Sequence, residues 1–161
     1  MSQNDGSDAP IRSILAPTDG SDAAEAALER ALRFAELEGA TVHVLSVVDT
    51  TANPMRFGVA EVADLDRART KLVDDVVDAC GDRTPELEVR GAVRRGRPAA
   101  AILEYAEEQA IDLLVVGRTG RGGVAEALLG STADRLVRRA PIPVVVVPDA
   151  ASVDDRSRGS E

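Results

Sequence analysis

Three aromatic residues, Phe34, Phe57 and Tyr105, are all that a chain of 161 residues contains, and tryptophan is absent. A platform for stacking the bases of a single strand needs several such rings, so single-strand and RNA-recognition modules are excluded. Lys71 is the single lysine, and no Gly-x-x-x-x-Gly-Lys-Ser/Thr occurs, which excludes a P-loop NTPase. Cys80 is the single cysteine, so no internal disulfide can form. Positive charge is also scarce: the net charge is −9, which repels nucleic acid and anionic membrane surfaces. No apolar run approaches the roughly 20 residues of a membrane span. The first ten residues are polar and acidic, unlike a signal peptide, and a cytoplasmic location is expected.

What is present is a strict alternation of two apolar patterns. Continuous apolar runs at residues 11–17, 41–48, 87–93, 112–116 and 142–147 read as strands. Between them lie helical stripes. One runs from Ser21 to Glu38 with Leu28, Ala31, Leu32 and Ala35 on one face and Gly39 closing it. A second carries Val62, Leu65, Leu72, Val73, Val76 and Cys80 after a loop at 49–58. A third opens at Pro98 with Ala99, Ile102, Leu103, Ala106 and Ala110, and a fourth spans Ser131 to Ala140. Buried strands alternating with amphipathic helices predict a single-domain α/β fold, an open five-stranded parallel sheet with helices on both faces. Residues 1–9 and 149–161 are rich in Ser, Asp and Gly and are expected to be disordered tails.

Ligands of such sheets bind beyond the carboxyl ends of the strands. Three segments reach that edge: Pro17-Thr18-Asp19, Val47-Val48-Asp49, and the stretch that begins with Val116-Gly117. The last is the most informative. Gly117 and Gly120 have two residues between them, nine residues then lead to Gly130, and Ser131-Thr132 follow at once. A glycine-rich segment between a buried strand and a helix N-terminus suits a phosphate chain, because backbone N–H groups can approach it closely and the helix end adds orphan donors.

Together these motifs resemble the nucleotide-binding branch of the universal stress protein family. The likeness covers about residues 10–148 and rests on Pro17-Thr18-Asp19, Val47-Val48-Asp49, Gly96-Arg97-Pro98 and the full glycine spacing. It implies a Rossmann-like sheet of order 3-2-1-4-5 and a site for ATP with Mg²⁺. By that resemblance Asp19, beside Pro17 and Thr18, would hold the ribose hydroxyls with help from the backbone near Gly117. Val47 would meet the adenine through its backbone. Gly120, Gly130, Ser131 and Thr132 would cradle the phosphates, next to Val116, Arg118, Thr119 and Arg121. Arg118 and Arg121 are the cations expected to offset triphosphate charge. Mg²⁺ would be held mainly by phosphate oxygens and water.

Several of these residues also have plain structural readings. Asp19 could cap the first helix, and Ser131 with Asp134 forms a Ser-x-x-Asp capping pattern. Arg118 and Arg121 could be solvated surface charges. His43 is expected to be a packed or edge histidine, Cys80 a buried thiol, and Arg94-Arg95-Gly96-Arg97 either a solvated turn or a partner contact. Two functions fit: a nucleotide-dependent regulatory module that binds a further protein, or an ATPase or phosphotransferase using the same site. Catalysis needs a positioned base near the γ-phosphate. None is evident, which favours binding with slow or no hydrolysis. With the order 3-2-1-4-5, the run from Ile142 to Val147 lies at the sheet edge, and an apolar edge calls for a cover. A homodimer through that strand is the expectation.

Overall fold

The computed structural model describes residues 9–51, 58–119 and 129–148. The expected tails at residues 1–8 and from 149 onward lie outside the described residues, as do Gly120 and Arg121. The elements run β1 (Ser13–Pro17), α1 (Asp22–Glu38), β2 (Thr41–Val48), α2 (Val59–Arg83), β3 (Val89–Arg95), α3 (Pro98–Glu108), β4 (Leu113–Gly117), α4 (Ser131–Arg139) and β5 (Val144–Val147). All neighbouring strands are parallel, in the order β3-β2-β1-β4-β5. The expected order and the α/β class are both observed.

Period-two alternation along the strands divides the core in two. Ile14, Ala16, Val42, Val44, Leu113 and Val115 face α1 and α2. Leu15, Leu45, Leu114 and Val116 face α3 and α4. On the first face α1 presents Ala27, Ala31 and Ala35, each fully buried, so its backbone lies close to the sheet. Gly117 belongs to the same close approach: a Cβ there would stand 2.7 Å from the Ala23 carbonyl oxygen. Its φ is not positive, so Gly117 is needed for space and not as a turn glycine.

Several strand ends differ from the sequence reading. β1 starts at Ser13 because the Asp112 carboxylate takes the N–H groups of Arg12 and Ser13, at 2.9 and 3.1 Å. Asp112 is thereby a clamp ahead of β4, which runs from Leu113. β3 starts two residues later than expected. Leu87 is apolar and packs against the core, but its N–H closes a turn on the Thr84 carbonyl, 3.0 Å away. β5 has four residues and not six: Ile142 lies before the strand, and Pro143 lends only its carbonyl, which accepts from Leu114 N–H at 3.0 Å.

Among the described residues the buried polar side chains His43, Ser46 and Thr84 each have a hydrogen-bond partner. His43 is buried in β2, and its Nδ1 shares a 2.7 Å hydrogen bond with the Tyr105 hydroxyl of α3. Burial, and then the neighbouring Arg90, hold its imidazole below the usual histidine range, with Glu88 opposing. It is the packed histidine expected. Cys80 is buried and its thiol is pushed up by desolvation.

Candidate functional site

The site begins where β1 stops. Odd-numbered residues of β2 turn their backbone groups toward β1: Thr41 N–H donates to Arg12 and the Leu45 carbonyl accepts from Thr18 N–H. Even-numbered residues turn toward β3, as Val42 and Val48 do. Val47 therefore points its N–H and C=O toward β1, two residues past the last pairing of Pro17 with Leu45. On the other side of the gap, Leu114 and Arg118 turn their N–H groups toward β5. By the same alternation the Gly117 backbone faces the gap. This is the switch point of the sheet, where β2 and β4 flank a strand that has ended.

Short bonds hold the rim. The Ser46 hydroxyl donates to the Thr18 carbonyl at 2.8 Å, pinning the β1 turn to β2. Within the turn, Thr18 Oγ1 accepts from Gly20 N–H and Asp19 Oδ1 from Ser21 N–H. Gly20 has φ +82°, a conformation glycine adopts without strain. Asp19 is not the cap of α1. That role falls to Ser21, whose hydroxyl accepts from Ala24 N–H at 3.2 Å.

The capping reading of Ser131 is corrected too. The N-cap of α4 is Gly130, with no side-chain cap, and Ser131 is the first helical residue. A residue inside the first turn cannot direct its hydroxyl back to the second or third N–H as a cap does. Asp134 instead pairs with Arg138, one turn on. The first bond inside the helix runs from Asp134 N–H to the Gly130 carbonyl, so the N–H groups of Ser131, Thr132 and Ala133 have no carbonyl within it. Those donors and the positive end of the helix dipole open onto the gap. A 2.7 Å bond from Gly130 N–H to the Arg118 carbonyl ties the start of α4 to the residue that follows β4.

These parts enclose a cleft of about 540 Å³. Of the thirteen residues expected at the site, Gly120 and Arg121 are outside the described residues. The other eleven all line this cleft: Pro17, Thr18, Asp19, Val47, Val116, Gly117, Arg118, Thr119, Gly130, Ser131 and Thr132. The structure adds Asp49 at the end of β2, Pro98 and Ile102 from α3, and Arg69 from α2. Arg69 was missed although the sequence carries a signal for it. It stands at the position where the stripe Val62, Leu65, Val73, Val76, Cys80 asks for an aliphatic residue. The arginine cluster read as a turn begins inside β3, whose last residues are Arg94 and Arg95, and both stay out of the cleft: Arg95 pairs with Asp66, and Arg94 lies 5.2 Å from the centre of the Tyr105 ring.

The profile of the Universal stress protein family matches residues 10–148. The chain belongs to that family. A universal stress protein of Methanocaldococcus jannaschii is 32% identical over 143 residues, spanning 84% of this chain and 81% of its own. Among solved members, UspA from Lactobacillus plantarum superposes with a TM-score of 0.75 at 29% identity, covering 86% of this chain and 99% of its own. A universal stress protein solved in complex with cAMP shares the fold, with a TM-score of 0.63 at 24% identity over 88% of this chain and 100% of its own. Among the described residues of this universal stress protein, no group of three or more His, Cys, Asp and Glu could hold a metal ion, and no helix is long and apolar enough to cross a membrane.

Proposed function

We propose that this universal stress protein binds ATP in the cleft and acts as a nucleotide-dependent regulatory module of the cytoplasm, with slow or no hydrolysis. The observation that carries the reading is the uncapped N-terminus of α4, set against the backbone of Val47 and Gly117 across the gap left by β1. In this reading Ser131 and Thr132 take the phosphates with Arg118 beside them, Asp19 takes the ribose, and Val47 meets the adenine. Mg²⁺ is carried by the phosphates and water, because a hard cation that keeps part of its hydration shell needs few protein ligands. The structural relative that holds cAMP shows that this fold can accommodate an adenine nucleotide in that protein.

The same proposal includes a homodimer. β5 lies at the sheet edge, and Val144, Val145 and Val146 are only half-buried. Pairing with the same strand of a second copy would satisfy the open backbone groups in a closed two-fold contact. Light scattering at tens of micromolar is expected to give twice the mass of the chain; a monomer refutes this part.

The test of the nucleotide reading is direct. Freshly purified protein, denatured and chromatographed, is expected to release an adenine nucleotide, and calorimetry with Mg-ATP is expected to give micromolar affinity, about −8 kcal/mol. Neither heat nor a thermal shift at millimolar ATP refutes it. Phosphate release near the enzyme median of about 10 per second would favour the ATPase reading instead.

A further inference from the structure

Arg69 has no use in the nucleotide site as the family pattern draws it. It also stands where helix α2 should be apolar. The sheet-facing positions of α2 run 62, 65, 69, 73, 76 and 80, and Val73 and Cys80 among them are buried. Arg69 is half-buried and lines the cleft. The other cations of α2 have partners: Arg67 pairs with Asp64, Lys71 with Asp75 and Arg83 with Glu29. Arg69 has no hydrogen bond or ion pair among the described residues. A half-buried arginine held at a core-facing position without a protein partner is unusual.

Its height over the sheet follows from its neighbours. One turn toward the C-terminus, Val73 sits on Gly91 of β3, where a Cβ would collide with it. One turn toward the N-terminus, Asp66 pairs with Arg95, which lies in register with Val48 of β2. Arg69 therefore lies at the level of the last residues of β2, on the α1/α2 face of the sheet. From the opposite face Pro98 and Ile102 of α3 reach the same cleft. The β2 end of the cleft is thus a slot. Its floor is the outward-turned backbone of Val47, one wall is Pro98 and Ile102, and the other wall is Arg69.

We propose that Arg69 is a base-binding residue: its guanidinium plane stacks on the purine face, in a cleft whose described lining includes no aromatic ring. This rests on the adenine-nucleotide reading above. A guanidinium is planar, delocalised and weakly hydrated, so it stacks on π-systems where an ammonium cannot. The phosphate end is elsewhere. The α4 N-terminus belongs to the β4 side, and β4 lies two strand spacings from β2, about 10 Å. Arg69 and the phosphate cradle stand at opposite ends of the cleft.

Calorimetry of the full chain and two variants with ATP, ADP and AMP tests the assignment. Arg69→Ala is expected to weaken every nucleotide that the wild type binds by the same factor, about tenfold. Arg69→Lys keeps the charge but not the plane and is expected to stay weakened. A loss that grows with phosphate number, or full recovery in Arg69→Lys, makes the contact one of charge and overturns the stacking. Wild-type affinity in Arg69→Ala overturns any role for Arg69 while leaving the nucleotide reading intact. No binding by the wild type overturns that reading itself. Arg69 lies on a helix whose fold gains from alanine, so an unchanged melting temperature is expected and checks that the variants fold.

Discussion

The N-termini of α1 and α4 open at the same carboxyl edge, on opposite faces of the sheet, and they are finished differently. The first turn of α1 is closed by its own side chains. Ser21 caps it, Asp19 and Thr18 brace the approach, and Asp22 and Glu25 set negative charge against the dipole. The first turn of α4 has a glycine cap that contributes no side chain, and its acid, Asp134, pairs with Arg138. Orphan N–H groups at a helix end can be met by the protein itself or left for an anion. Here one helix takes the first course and its neighbour the second, so of the two helix ends at this edge one is left open to an anion and the other is not.

The strongest way to break this difference is to finish α4 as α1 is finished. Gly130 has φ −66° and ψ 162°, an extended conformation that any residue adopts. Gly130→Asp is therefore expected to fold, with a few tenths of a kcal/mol of added stability from the new cap. It is also expected to abolish ATP binding, because a carboxylate takes the place of the phosphates. Gly130→Val is expected to abolish binding through bulk alone. Micromolar ATP affinity in either variant, measured by calorimetry, would remove α4 from the site.

A smaller effect sharpens the contrast from the ligand side. Ser131 is exposed at the first position of α4 and is not spent on capping. Ser131→Ala is expected to weaken ATP by about tenfold, the lower end of what one hydrogen bond to a charged group is worth, without lowering the melting temperature. If Ser131 were a cap after all, stability would fall and affinity would not.

Ser21→Ala on α1 is expected to do the reverse. Loss of a side-chain cap costs about 1 kcal/mol, or roughly 2–4 °C of melting temperature in a chain of this size. ATP affinity should stay within twofold. A loss of affinity with unchanged melting would show that the two helix ends are not separate in function.

Most of the fold was legible before any coordinates. Ser21, Gly39 and Pro98 mark helix ends through mechanisms local to a few residues, and the structure places them there. The cleft was legible for the same reason: its glycines and Pro17-Thr18-Asp19 are short motifs at strand ends. What escaped depends on partners distant in the chain or on a shift of one residue. β3 and β5 begin late because turn and proline hydrogen bonding, not apolarity, decides where a ladder starts. Ser131 was read as a possible cap because Ser-x-x-Asp looks the same whether serine is the cap or the first helical residue. Arg69 escaped because a stripe with one charged member still reads as a stripe. Only packing shows that this position faces the cleft.

The bond from Gly130 N–H to the Arg118 carbonyl has a consequence for the edge strand. Arg118 N–H is itself fastened to the Val147 carbonyl, so two hydrogen bonds in series tie the last residue of β5 to the N-cap of α4. A displacement of β5 is therefore passed through a single residue to the helix end at the cleft. The rim of the sheet and the mouth of the cleft move together.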